Sequence, residues 1–179
     1  MAVMEAIATT YLEVDATSVT FSSLGSYEHL QLRISAKSDR SASYANDDIK
    51  LNLNGDTGSN YSYRRMMGSE AGASADRTSS GSYIKVSSVQ SDAGLSGAEN
   101  YGAVIIDILD YRNGSKNTTV AGTGGLNRIF SALVGAARAV LFSGMWNNTA
   151  AVTSIVLAPA GSSNFVRGSE FTLYGLNSS

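Results

Sequence analysis

One histidine, His29, no cysteine and fifteen acidic side chains set the limits of the chemistry open to this chain. A serine–histidine–carboxylate triad needs an imidazole that faces a nucleophile in a cleft. His29 precedes the alternating run Leu30-Gln31-Leu32-Arg33-Ile34, so it points away from the face that carries Leu30, Leu32 and Ile34. It reads as a solvent-facing strand histidine. The lack of cysteine removes disulfides, thiolate metal sites and thiol nucleophiles. A glycosidase needs two carboxylates about 5 to 10 Å apart across a sugar bond. Fifteen acidic residues always offer some pair, so the count carries no signal. Asp107 is the most unusual of them, because it shares a strand face with Ile105 and Leu109 in the run Val104–Leu109. It reads first as an edge-strand charge that blocks aggregation, and second as a buried, hydrogen-bonded structural carboxylate. Asn52, Asn54 and Asp56 alternate like the start of a calcium loop. Thr57 and Tyr63 stand where an EF-hand has glycine and glutamate. The run reads instead as a hairpin turn whose side chains bond nearby backbone N–H groups. We therefore expect no catalytic residues, no metal site, no cofactor and no enzymatic activity.

Two groups of residues have binding chemistry. Trp146 followed by Asn147, and Tyr61 with Tyr63 beside Arg64 and Arg65, carry the aromatic faces and hydrogen-bonding groups of a glycan site. Trp146 reads equally as a core or sheet-end plug, and Tyr61 and Tyr63 lie on one strand face that could pack inward. At the N-terminus, Val3, Met4 and Ile7 form an apolar set with one charge, Glu5. Residues 1–10 are expected to be either an attachment arm that docks on a partner or the first strand of the domain.

The elements that must position these groups are strands. The 179 residues include 18 glycines, one proline, 43 % hydrophobic and only 16 % charged residues. Period-two alternation recurs at Leu30–Ile34 and Ile49–Leu53, and apolar runs at Thr17–Phe21, Tyr61–Met66, Tyr83–Val86, Val104–Leu109, Val152–Leu157 and Phe171–Tyr174 suit further strands. Asn54-Gly55, Asp56-Thr57-Gly58, Asn113-Gly114 and Gly124-Gly125 mark turns between them. The short spacings leave no room for βαβ crossovers. The expected fold is an all-β, single-domain antiparallel β-sandwich over residues 11–176, jelly-roll-like by preference, with 177–179 as a tail. Arg40–Asp48 and Gly68–Ser82 lack periodicity and read as long surface loops. Phe130–Leu141 fits either a helical stripe or two strands turning at Gly135, and two strands are preferred. A net charge of −2 argues against nucleic acid as a partner, which needs a basic face. No run of about 18 apolar residues suits a membrane span, and the N-terminus has no signal-peptide pattern.

Three phrases go further: Leu51-Asn52-Leu53-Asn54-Gly55-Asp56-Thr57-Gly58-Ser59-Asn60-Tyr61, Trp146-Asn147-Asn148-Thr149-Ala150-Ala151-Val152-Thr153-Ser154-Ile155 and Phe165-Val166-Arg167-Gly168-Ser169-Glu170-Phe171-Thr172-Leu173-Tyr174-Gly175. Together they resemble a family of small β-sandwich structural proteins and fibre domains of tailed bacteriophages, common among aquatic phages. The resemblance spans roughly Thr10 to Leu176 and departs from the family between Gly122 and Arg138, which is richer in Gly, Leu and Ala. It implies a virion component assembled in the host cytoplasm: a capsid decoration (cement) protein or other accessory subunit. Its partners would be major capsid or tail proteins and copies of itself. The alternative is a tail- or head-fibre module that recognises a host glycan. The resemblance brings no catalytic residues with it.

Overall fold

Alternating side chains dominate the chain, and each alternating run becomes a strand with one buried and one exposed face. The computed structural model describes residues 3–40, 45–91, 100–127 and 137–177. It holds twelve strands: β1 (Val3–Tyr11), β2 (Val19–Phe21), β3 (His29–Ser38), β4 (Asn46–Leu53), β5 (Tyr61–Ser69), β6 (Gly72–Gly81), β7 (Ile84–Ser91), β8 (Gly102–Leu109), β9 (Thr118–Leu126), β10 (Arg138–Trp146), β11 (Ile155–Pro159) and β12 (Glu170–Asn177). No helix occurs among the described residues.

The strands form two layers of an all-β sandwich. The large sheet has the order β1-β12-β3-β8-β9-β10-β5-β6, and the small sheet the order β2-β11-β4-β7. The layers join where Lys37 and Ser38, at the end of β3, pair in parallel with Gln90 and Ser91 of β7. Every other strand pair is antiparallel. The chain crosses repeatedly between layers, as in a jelly roll, but divides its strands eight and four. Leu30, Leu32, Ile49, Leu51, Ile84, Ile106, Leu157 and Phe171 fill the space between the sheets. Strand β7 lies across β8, β9 and β10, and its residues from Val86 to Ser91 are all buried.

That close approach accounts for Gly124 in β9, and contacts within the large sheet account for Gly122. Gly124-Gly125, which the sequence suggests as a turn, lies inside this strand. A Cβ at Gly124 would sit 2.5 Å from Ser87 Oγ on the facing sheet, and one at Gly122 would overlap the Ile105 carbonyl and the Phe142 ring. Small residues here let two backbones approach, which outweighs the entropy cost of glycine in a strand. Asn54-Gly55 is a true turn of the primed type, with φ of 54° and 65°, but it closes no hairpin, because it carries the chain from β4 in the small sheet to β5 in the large one.

Several expectations change. Gly68–Ser82 is not a loop: it is the end of β5, a tight turn, all of β6 and one residue beyond it. Both faces of β6 are largely exposed, so nothing imposes alternation on its sequence. Of Arg40–Asp48, the last three residues begin β4, and residues 41–44 lie outside the described set. In Phe130–Leu141, residues 138–141 belong to β10, and Gly135 lies outside the described residues. Asp107 is not on an edge strand, because β8 runs between β3 and β9. Gln31 Nε2 donates to its carboxylate at 2.8 Å. Val3–Tyr11 forms the edge strand β1, paired along its length with β12. Ile7 packs against the core, while Met4 is exposed.

Candidate functional site

The aromatic residues singled out for glycan binding meet, but inside the molecule. Tyr61 on β5 and Trp146 on β10 are cross-strand partners, each only 1 % exposed, with rings stacked at a centroid distance of 6.4 Å. Trp146 Nε1 donates to Asp56 Oδ2 at 2.7 Å, as does Asn60 Nδ2 at 2.9 Å, and the Gly58 N–H donates to Oδ1 at 2.8 Å. These bonds, the indole's first, hold the Asp56 carboxyl below its ordinary pKa. The Tyr61 hydroxyl accepts the Leu53 N–H at 3.0 Å and lies 3.0 Å from the Asp56 carbonyl. Asn54 Oδ1 accepts the N–H groups of Thr153 and Ser154 at 2.7 and 3.2 Å. Two of the three distinctive phrases thus form one structural corner. Tyr63 is 8 % exposed. These three rings are therefore not exposed sugar platforms, because burial of their area outweighs display. Asn147 alone is at the surface, accepting from Asn117 Nδ2 at 3.1 Å.

Behind Tyr63 lies a charged cluster that the sequence reading did not single out. Arg65 follows Tyr61 and Tyr63 on the same face of β5 and is 3 % exposed. Its guanidinium donates to both oxygens of Asp48 at 2.9 and 3.2 Å and to Asp76 at 2.7 Å. Lys85 Nζ stands 3.2 Å from Asp76 and 3.7 Å from Asp48, and Ser88 Oγ donates to Asp48 at 2.7 Å. Burial opposes ionisation of Asp48 and Asp76. The Arg65 bonds and charge, with help from Lys85, outweigh it and hold both carboxyls below their ordinary values. Two cations and two carboxylates neutralise one another and tie β5 and β6 to β4 and β7. The readable signal was an arginine at the inward parity of an otherwise aromatic face.

The remaining candidates are structural. His29 Nδ1 accepts the Asp110 N–H at 3.0 Å. Asp47, fully buried, accepts the N–H groups of Asp48 and Gly161 at 2.8 and 3.1 Å and the Ser163 hydroxyl. Among the described residues, no group of three or more His, Asp or Glu is placed to hold a metal ion.

What the fold leaves open is the outer face of the large sheet. Register aligns one row straight across seven strands: Met66, Leu141, Thr123, Ile105, Arg33, Thr172 and Thr9. Met66 is 68 % exposed, Leu141 60 % and Ile105 39 %. A second row adds Met145, Thr119 and Leu109. The face carries a shallow concavity of about 310 Å³ beside Met66 and Leu141 and one of about 650 Å³ over Ile105, Arg33 and Thr172. Burying Met66, Leu141 and Ile105 fully would contribute about 1.5 to 3 kcal/mol each. Among known proteins, no family model and no curated sequence matches the chain, so these residues carry the functional argument by themselves.

Proposed function

We propose that this chain is an accessory structural subunit of a tailed-bacteriophage particle, of the decoration or cement type. In this reading it acts through protein–protein contacts. It docks by the outer face of its large sheet on neighbouring virion proteins, major capsid or tail proteins, and assembles there with copies of itself. The observation that carries the proposal is the exposed row Met66–Leu141–Thr123–Ile105, apolar but for Thr123. Sheet faces that meet only water alternate polar residues outward, and contiguous apolar patches mark interaction sites. The sequence resemblance to phage structural proteins supports the same reading. So does a low-charge, cysteine-free surface, which suits a particle that forms in a reducing cytosol and then meets varied salt. The alternative of a fibre module stacking host sugars on Trp146, Tyr61 and Tyr63 loses support from the burial of those rings.

The test is the double substitution Ile105→Asp with Leu141→Asp. Both side chains are exposed, and exposed substitutions change stability by about 0.5 kcal/mol or less each. The variant is expected to fold with an unchanged urea midpoint and to be missing from purified particles, while the wild-type chain is present in many copies. Undiminished incorporation of the folded variant, or absence of the wild-type chain from particles, overturns the proposal.

A further inference from the structure

Arg64 and Arg77 are direct cross-strand partners on β5 and β6, and both are exposed. Side chains so paired stand about 5 Å apart at Cβ, and like charges in that arrangement are destabilising. The register that joins Arg65 to Asp76 on the inner face forces this juxtaposition on the outer one. Among the described residues, neither guanidinium has an ion-pair or hydrogen-bond partner. Two cations thus line one concavity, with no anion paired to either among the described residues.

The surroundings say what kind of anion fits. Arg64, Arg77, Thr78 and Ser79 line a concavity of about 360 Å³. It adjoins a second of about 520 Å³ that shares Arg64, Thr78 and Ser79 and adds Ser62, Thr119 and Ser143 beside the edge of Tyr63, Gly144 and Met145. The cleft therefore joins a paired guanidinium fork to five hydroxyl side chains. Guanidinium forks match the flat pair of oxygens on a carboxylate or the oxygens of a sulfate. Hydroxyls on the floor match a ligand that is itself hydroxylated. The cores of protein–protein interfaces are poor in serine, which argues against an acidic protein segment here. Sequence-tolerant single-strand binding relies on exposed aromatic faces for bases, and Tyr63, beside this cleft, is buried.

We infer that this cleft binds an acidic saccharide, with its carboxylate or sulfate held between Arg64 and Arg77 and its hydroxyls on Ser62, Ser79 and Ser143. The site lies on the same outer face, between Leu141 and Met145 on β10, so its test uses the isolated chain and the docking test uses particles, and either can fail without the other.

The experiment is isothermal titration of the full chain with galacturonate oligosaccharides, heparin-derived oligosaccharides, neutral dextran oligosaccharides, polyglutamate and sodium sulfate. At least one acidic oligosaccharide is expected to bind, neutral dextran is not, and raised salt weakens the binding. The double variant Arg64→Gln with Arg77→Gln is expected to bind about tenfold more weakly or worse with an unchanged urea midpoint. The inference is overturned if neither acidic oligosaccharide binds, or if the arginine variant binds as the wild type does. Sulfate alone binding as tightly as the oligosaccharides reduces the site to an adventitious ion. Tighter binding of polyglutamate assigns it to an acidic protein instead.

Discussion

Replacing Arg65 by methionine tests whether the charged cluster between the sheets holds the sandwich together. The substitution removes three hydrogen bonds, of 2.9, 3.2 and 2.7 Å, and leaves Asp48 and Asp76 without their shared counter-charge. Breaking a buried ion pair from one side costs about 3 to 5 kcal/mol. Here Lys85 remains 3.2 Å from Asp76 and 3.7 Å from Asp48, and Ser88 still donates to Asp48. The cost therefore falls at the lower end, about 3 kcal/mol, or a drop in Tm of about 6 to 12 °C for a chain of this size. Because the folded state depresses both carboxyls below an ordinary value of 3.8, their contribution is present above that value. It is lost as pH falls through the folded pKa values. Once they are protonated, the wild type keeps a buried guanidinium with no anion, and the methionine variant does not. The stability gap between the two is thus expected to be wide at neutral pH and to narrow in acid. Urea denaturation followed by the fluorescence of Trp146, the single tryptophan, reads both proteins at each pH. Equal stability at neutral pH, or a gap that does not change in acid, refutes the reasoning.

Other perturbations probe separate parts of the fold. Trp146→Phe removes the indole bond to Asp56 and is expected to cost about 1.5 to 3 kcal/mol, measured by calorimetry. It should also soften the loss of stability in acid, since the depressed Asp56 carboxyl contributes only while ionised. Gly122→Ala places a methyl against the Ile105 carbonyl and the Phe142 ring, and is expected to lower stability by about 1 to 3 kcal/mol through overpacking. An unchanged urea midpoint would contradict that close contact. Deleting residues 2–9 removes most of β1 and bares the edge of β12. The expected result is lower stability and a tendency to associate. A truncated chain as stable as the full one would make this segment a detachable arm.

The parts of the fold that a reader of the sequence can find are those where burial on one face imposes a period. Strands β3, β4 and β8 are of this kind. Strand β6 is hidden because both its faces meet solvent, and β9 is hidden because close backbone approach demands glycines, which look like turn residues. The central place of Asp107 depends on strand order, which no local pattern encodes. The same holds for the candidate face. Met66, Leu141 and Ile105 are unremarkable apart, and only the register of four strands sets them in a row. The opposed pair Arg64 and Arg77 likewise follows from pairing between β5 and a segment that looks like a loop. Trp146 presents the opposite case. The sequence admits both a sugar platform and a plug, and its pairing with Tyr61 and its bond to Asp56 decide for the plug.

The most direct test of the central claim is a cryo-EM reconstruction of the phage particle proposed to contain this chain, at a resolution that separates strands. The account predicts twelve-stranded sandwich density in many copies, with the face bearing Met66, Leu141 and Ile105 pressed against a neighbouring virion protein. A particle in which that face points to solvent, or in which the chain is absent, contradicts it.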